Sequence, residues 1–165
     1  MGNLLNRQPD YVVTQNFCGV TRKYLYESGM LFRDFKSHIK IGQFPLIHIT
    51  MGVCPESGKR LWAKGVIAIG RKAIGVVAIG QLSLGVIAVG QLSFALAIGL
   101  AQLSIAGFFS VGQAAIGAVA IGQFAYGYYA LGQIAAGHFV FSTATKDFEA
   151  VLFFKSLLER FKALI

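Results

Sequence analysis

The sequence predicts a mainly β protein: a β-solenoid of ten-residue repeats, each built from two five-residue segments, with a β-rich N-terminal cap and a C-terminal amphipathic helix. Two observations predict it. Glycine recurs at every fifth position through Gly65, Gly70, Gly75, Gly80, Gly85 and Gly90, and again from Gly107 through Gly112, Gly117, Gly122, Gly127 and Gly132 to Gly137. Glutamine marks every second segment, at Gln81, Gln91, Gln102, Gln113, Gln123 and Gln133. A period of ten with two alternating halves belongs to repeats that cannot bury their own apolar side and must stack on their neighbours.

Taken in order, residues 1–40 read as a cap. Tyr11-Val12-Val13, the stretch Lys23 to Tyr26, and Met30-Leu31-Phe32 are β-prone and separated by turn signals at Gly19 and Ser28-Gly29. The solenoid is assigned to residues 41–141. Gly42 and Gly52, ten residues apart, bound a first irregular rung, and Pro55-Glu56-Ser57-Gly58 has good turn chemistry. Residues 142–165 form the helix: Phe148, Val151, Leu152, Phe154, Leu157, Leu158, Phe161, Leu164 and Ile165 make a broad apolar stripe. Thr145 is the expected N-cap, Asp147 and Glu149 lie in the first turn, and Arg160 and Lys162 suit the negative end of the helix dipole.

Side chains should alternate in and out along each segment. If the larger apolar residues fill the interior, Ile67, Ile69, Val77, Ile79, Ile87 and Val89 point inward from one segment type, and Leu82, Leu84, Leu92, Phe94, Phe124 and Tyr126 from the other. Two outer faces follow. One is flat and apolar, with Val66, Ala68, Val76, Ala78, Val86, Ala88, Ala118, Ala120, Tyr128 and Ala130. The other is a polar ladder of Gln81, Gln91, Gln102, Gln113, Gln123 and Gln133, beside Ser83, Ser93 and Ser104 and then alanines. An apolar face of several rungs exceeds what a soluble monomer normally exposes, so another copy or lipid should cover it.

Composition points the same way. Apolar residues make up 55% of the chain and charged ones 13%, about half the charge of an ordinary soluble domain. The net charge is +8, yet no Lys, Arg, Asp or Glu falls between Ala73 and Thr145. That stretch is long enough to cross a bilayer as helix, which takes ~20 residues. Glycine at every fifth position argues against it, since five residues advance about 500° around a helix and build no packing seam, and each glycine weakens a helix interior. The basic residues instead suit anionic headgroups or an acidic partner. They are scattered and carry no recognition motif, so nucleic acid is not an expected partner.

Nothing in the sequence sets a nucleophile beside a base, pairs two carboxylates or spells a cofactor fingerprint, so the chain reads as non-enzymatic and cofactor-free. His38, His48 and His138 have no carboxylate or cysteine at ligand spacing, so no metal is expected. Cys18 and Cys54 are expected to be free thiols of a reducing compartment. Met1 to Arg7 lacks the pattern of a secretory signal, and Asn6 stands where an acylated Gly2 would favour Ser or Thr.

The lead-in Phe44-Pro45-Leu46-Ile47-His48-Ile49, Gly52, Pro55 to Arg60, then Ala63-Lys64-Gly65-Val66-Ile67-Ala68-Ile69-Gly70 resembles a group of mostly bacterial proteins of unassigned function. They share a Pro-Leu-Ile-His lead-in and strings of Ile-Ala-Ile-Gly. The resemblance spans roughly residues 43–141 and implies no activity. This chain departs from it by its glutamines and by a slip between Ala95 and Gly107. It is also similar in count to pentapeptide-repeat proteins, without their Asp or Asn row. The expected function is structural: a homo-oligomer or polymer, a filament or envelope-associated array, held through the apolar face or the ends of the solenoid. The alternative is a membrane protein with the charge-free region against lipid. Membrane or envelope association is expected over a free cytoplasmic location.

Overall fold

The computed structural model describes residues 10–27 and 29–163; Met1 to Arg7, weighed above for a signal or an acyl anchor, lie outside them, as do Ser28, Leu164 and Ile165. The protein is a β-solenoid followed by a single helix. It divides into two compact units, residues 1–90 and 91–165.

In the first unit β1 (Val12–Asn16), β2 (Gly19–Leu25) and β3 (Leu31–Ser37) form an antiparallel meander, with Val13 opposite Arg22 and Arg22 opposite Asp34. A small hairpin follows, β4 (Lys40–Ile41) with β5 (Phe44–Pro45), turning at Gly42 with φ 62°. The next strand, β6 (Ile47–Met51), pairs antiparallel with β3 on one side and parallel with β7 (Trp62–Ile69) on the other. This strand converts a meander into a solenoid. Pro55 to Gly58 turn as their composition suggests, closed by Gly58 N–H to the Cys54 carbonyl and Cys54 N–H to the Lys59 carbonyl, both 2.9 Å.

From β7 into β8 (Lys72–Ala106) the pairing is parallel with a constant offset of ten: Trp62 to Lys72, Gly65 to Gly75, Ala68 to Ala78, Ile69 to Ile79. A coil therefore contains two five-residue segments. Its interior reverses the expected one. Ala63, Ala68, Ala73, Ala78, Ser83 and Ala88 are all 0% exposed, whereas Ile79 is 40% exposed and Val76 50%. The expectation that Ala68, Ala78 and Ala88 face outward is wrong, and so is the expectation that Ile67, Ile69, Val77, Ile79, Ile87 and Val89 fill the core, since none of those six is buried.

The reason is geometric. Sheets that interdigitate large side chains stand about 10 Å apart. A coil that turns back after five residues has no chain to span such a gap, so its two layers close until only a methyl, a hydroxymethyl or a hydrogen fits between them. The glycines mark the same limit. A Cβ on Gly75 would lie 2.2 Å from the Gly65 carbonyl oxygen of the rung below. None of the described array glycines from Gly65 to Gly132 has a positive φ, so close approach and not a special turn conformation demands glycine there.

In the second unit the remainder of β8 pairs with β9 (Phe109–Phe141) at an offset of eleven, Ile98 to Phe109 and Leu103 to Ala114. The inward row runs Ser93, Gly99, Ser104, Ser110, Ala115, Ala120, Ala125, Ala130. Its spacing is six at Ser93 to Gly99 and again at Ser104 to Ser110. The slip between Ala95 and Gly107 is thus two single-residue insertions, both in the segments without glutamine, and Leu96 and Phe108 are left prominent on the surface. Buried serines are hydrogen-bonded: Ser93 Oγ donates to Ser104 Oγ (3.1 Å) and Ser110 Oγ to the Ser104 carbonyl (2.9 Å).

The chain then doubles back over its last rung. Asp147 accepts Val140 N–H through Oδ2 (2.7 Å) and donates its own N–H to the Val140 carbonyl (2.9 Å). Asp147, not Thr145, therefore occupies the N-cap position of α1 (Phe148–Lys162), and its carboxylate serves the strand instead of the helix. Glu149 and the pair Arg160 and Lys162 lie at the dipole ends as the sequence suggests. Ala150 and Phe154 are buried, and Phe153 stacks on Tyr129 with ring centroids 4.0 Å apart. Phe148, counted in the apolar stripe, is exposed.

The small interior sets a stability test. Ala78→Leu should cost roughly 1–3 kcal/mol or more through overpacking, whereas Ile79→Thr, one residue along but outward and still β-branched, should cost less than about 1 kcal/mol. Urea unfolding of both variants decides it; a larger loss at Ile79 would restore the opposite register.

Candidate functional surfaces

Each regular five-residue segment buries one Ala or Ser and sets one glycine against the backbone of the neighbouring rung, which leaves three residues outward. In the first unit the segments without glutamine present Val66, Ile67 and Ile69, then Val76, Val77 and Ile79, then Val86, Ile87 and Val89. Every one is β-branched and apolar. Of the residues expected on the flat apolar face, Val66, Val76 and Val86 point outward, Ala68, Ala78 and Ala88 lie inside, and the isoleucines and valines assigned to the core join the outer surface.

In the second unit the corresponding segments present Phe109, Ile121, Leu131 and Phe141, and α1 lies on them. These four line an apolar groove of about 320 Å3 with Phe154, Leu157, Leu158 and Phe161. Tyr128 projects outward as expected, stacked on His138 with centroids 5.0 Å apart, while Ala120 and Ala130 face inward. The glutamine-bearing segments of this unit expose Leu103, Ile116, Phe124, Tyr126 and Ile134, so Phe124 and Tyr126 are surface and not core.

Gln81, Gln91, Gln102, Gln113, Gln123 and Gln133 are all exposed, in one outward position of successive coils. Arg71 extends the row by donating from Nε to the Gln81 Oε1 at 2.7 Å. The ladder contains no serine. Ser83, Ser93 and Ser104, like Ala115 and Ala125, lie inward although each stands two residues after an outward glutamine, so strict in-and-out alternation does not hold across these five-residue segments and only the small residue enters the pinched centre of the coil.

A constellation that sequence reasoning missed lies where β2, β3, β6 and β7 meet. Asp34 is 1% exposed and accepts from Arg22 (2.5 Å) and, at Oδ1, from His48 Nε2 (2.8 Å), with Lys36 Nζ at 3.9 Å. Lys64 N–H donates to His48 Nδ1 at 2.7 Å, which places the ring proton on Nε2, facing Asp34. Arg22 and Asp34 are twelve residues apart, and Asp34 and His48 fourteen; only the register of an antiparallel meander unites them. Burial by itself pushes the Asp34 carboxyl up, but the hydrogen bonds from His48 and Arg22, with the charge of Lys36, outweigh it and hold it at about 2.

Beside this network, Lys36, Ser37, Lys40, Gln43, Phe44, Pro45, His48, Leu61, Trp62 and Lys64 enclose a cavity of about 600 Å3. Beyond the Trp62 ring a second depression, of about 540 Å3, is lined by Ser57, Lys59, Arg60, Leu61, Trp62 and Lys72, and the Lys72 ammonium sits 5.2 Å from the indole centroid. The residues of the sequence lead-in, Phe44 to Lys64, thus build a cationic and aromatic corner. Among the described residues no three His, Cys, Asp or Glu side chains group as a metal site, and no helix is long and apolar enough to cross a membrane. Cys18 is exposed and Cys54 buried, both as free thiols.

No family model matches the chain, and no curated protein or solved structure matches it.

The Asp34 network predicts a defined acid sensitivity. A carboxyl held at about 2 against an ordinary 3.8 stabilises the fold at any pH above the unfolded value. That contribution, about 2 kcal/mol, is lost as the pH falls from about 4 towards 2. Urea midpoints across this interval should show the loss in the native chain and a much flatter profile in Asp34→Asn.

Proposed function

We propose that this chain is a non-enzymatic structural protein that associates with further copies of itself through the uncovered outer face of its coils. The observation that carries the reading is the row Val66, Val76, Val86 with Ile67, Val77, Ile87, Ile69, Ile79 and Val89, an apolar face without one polar side chain. Burial of such a face is favourable at about 25 cal/mol per Å2, and monomeric surfaces seldom leave one bare. The chain itself covers the equivalent segments of its second unit with α1. The doubled-back strand at Asp147 occupies the edge of the last rung, which favours lateral association over end-to-end stacking at that end. A non-catalytic role suits a buried polar network that closes on itself, with Arg22, His48 and Lys64 N–H all spent on internal partners.

A lipid surface is the second reading, favoured by the segregation of Lys and Arg away from the charge-free coils. Both readings place the same face in contact. Val76→Lys with Val86→Lys should keep the β-rich circular dichroism spectrum, because both positions point outward, and should reduce the particle to a single chain by sedimentation, since two ammonium groups would meet an apolar contact without a counter-charge. An assembly unchanged in size would reject self-association through this face, and a native protein that is monomeric until mixed with neutral vesicles would favour lipid.

A further inference from the structure

We infer that the corner around Trp62 is a binding site for phosphate groups, carried either by an anionic lipid headgroup or by a soluble phosphate ester. This goes beyond self-association and does not depend on it. Lys36, Lys40 and Lys64 line the cavity of about 600 Å3, its described lining holds no carboxylate, and the Lys36 ammonium lies 3.9 Å from the Asp34 carboxylate. The nearest acid, Asp34, is 1% exposed and turned into the sheet, where Arg22 and His48 engage both of its oxygens. Lys40 and Lys64 have no ion-pair partner among the described residues. Two unpaired like charges at one concavity, with Lys36 beside its partner Asp34, favour a multiply charged anion between them.

The corner is also built and not merely decorated. Lys64 is fixed at its backbone by the His48 ring, and the ring by Asp34, so this ammonium projects from a rigid strand. Lys40 and Phe44 come from the β4–β5 hairpin, which turns at Gly42. Trp62 lines both depressions, the second together with Lys59, Arg60 and Lys72. Cations lining both depressions beside a half-buried indole suit a ligand with more than one anionic oxygen cluster and an organic part to lie on the rings. His48 is a positioning residue here, since both of its nitrogens are occupied.

Trp62 is the chain's single tryptophan, so its fluorescence reports on this corner alone. The full-length protein is titrated with sodium pyrophosphate, with phosphatidylcholine vesicles, and with vesicles containing phosphatidic acid. The expected result is a saturable change with pyrophosphate or with phosphatidic acid vesicles and none with phosphatidylcholine or with chloride at matched ionic strength. A response to the vesicles alone identifies a headgroup site; a response to pyrophosphate as well extends it to soluble phosphate esters. Lys40→Gln with Lys64→Gln should weaken binding by roughly tenfold or more, while Lys155→Gln, on α1, should leave it unchanged. The native protein's affinity should also fall steeply with added salt. No response to either phosphate source overturns the inference, as does equal weakening by the Lys155 variant or an affinity indifferent to salt.

Discussion

The close approach of two β layers inside a ten-residue coil governs the rest of this molecule. Ala63, Ala68, Ala73 and Ala78 stack at its centre with nothing larger beside them, and carbonyl oxygens from one rung stand where the next rung's glycine Cβ would be. Stability in such a coil comes from backbone ladders and dense contact among small groups, not from burying large apolar side chains. The large apolar side chains are consequently displaced to the outside. A conventional core hides its hydrophobic residues within one chain; here they are offered to whatever covers the surface.

That displacement connects the fold to its proposed role. Where the chain supplies its own cover, in the second unit, α1 meets Phe109, Ile121, Leu131 and Phe141 through aromatic and aliphatic residues, and Phe153 stacks flat on Tyr129. Where it does not, Val76 and Val86 remain open. The edges are handled separately. At the last rung, Asp147 pairs with Val140 in both directions and removes an unpaired ladder position. At the first, β6 joins the parallel coils to an antiparallel meander, and the only described acid in the sheet interior, Asp34, ties three strands together at that junction.

The sequence by itself determined a good deal. The spacing of glycine and glutamine identified a solenoid with two segment types, because a structural unit that stacks on copies of itself must repeat its constraints at each coil. The turn at Pro55 to Gly58, the β-prone meander and the charge arrangement of α1 were equally legible, since each depends on neighbours in the chain. The inward register was also written there, in a signal of size and not of hydrophobicity: Ala63, Ala68, Ala73, Ala78, Ser83, Ala88 and Ser93 form the most size-restricted row of the array after the glycines themselves. Reading apolar bulk as interior, which serves most folds, inverted it.

Only the tertiary structure decided the rest. That one ten-residue repeat is also one whole coil follows from which residues pair across rungs, and that pairing fixes how near the two layers lie and hence which row can be inside. The Arg22, Asp34 and His48 network, the cationic corner at Trp62 and the use of Asp147 by Val140 all join residues whose spacing carries no local pattern. Periodicity in a sequence reports constraints that recur along the chain. Strand register and the return of the chain at each end bring together residues that occur once, and those contacts exist only after folding has set the distances between them.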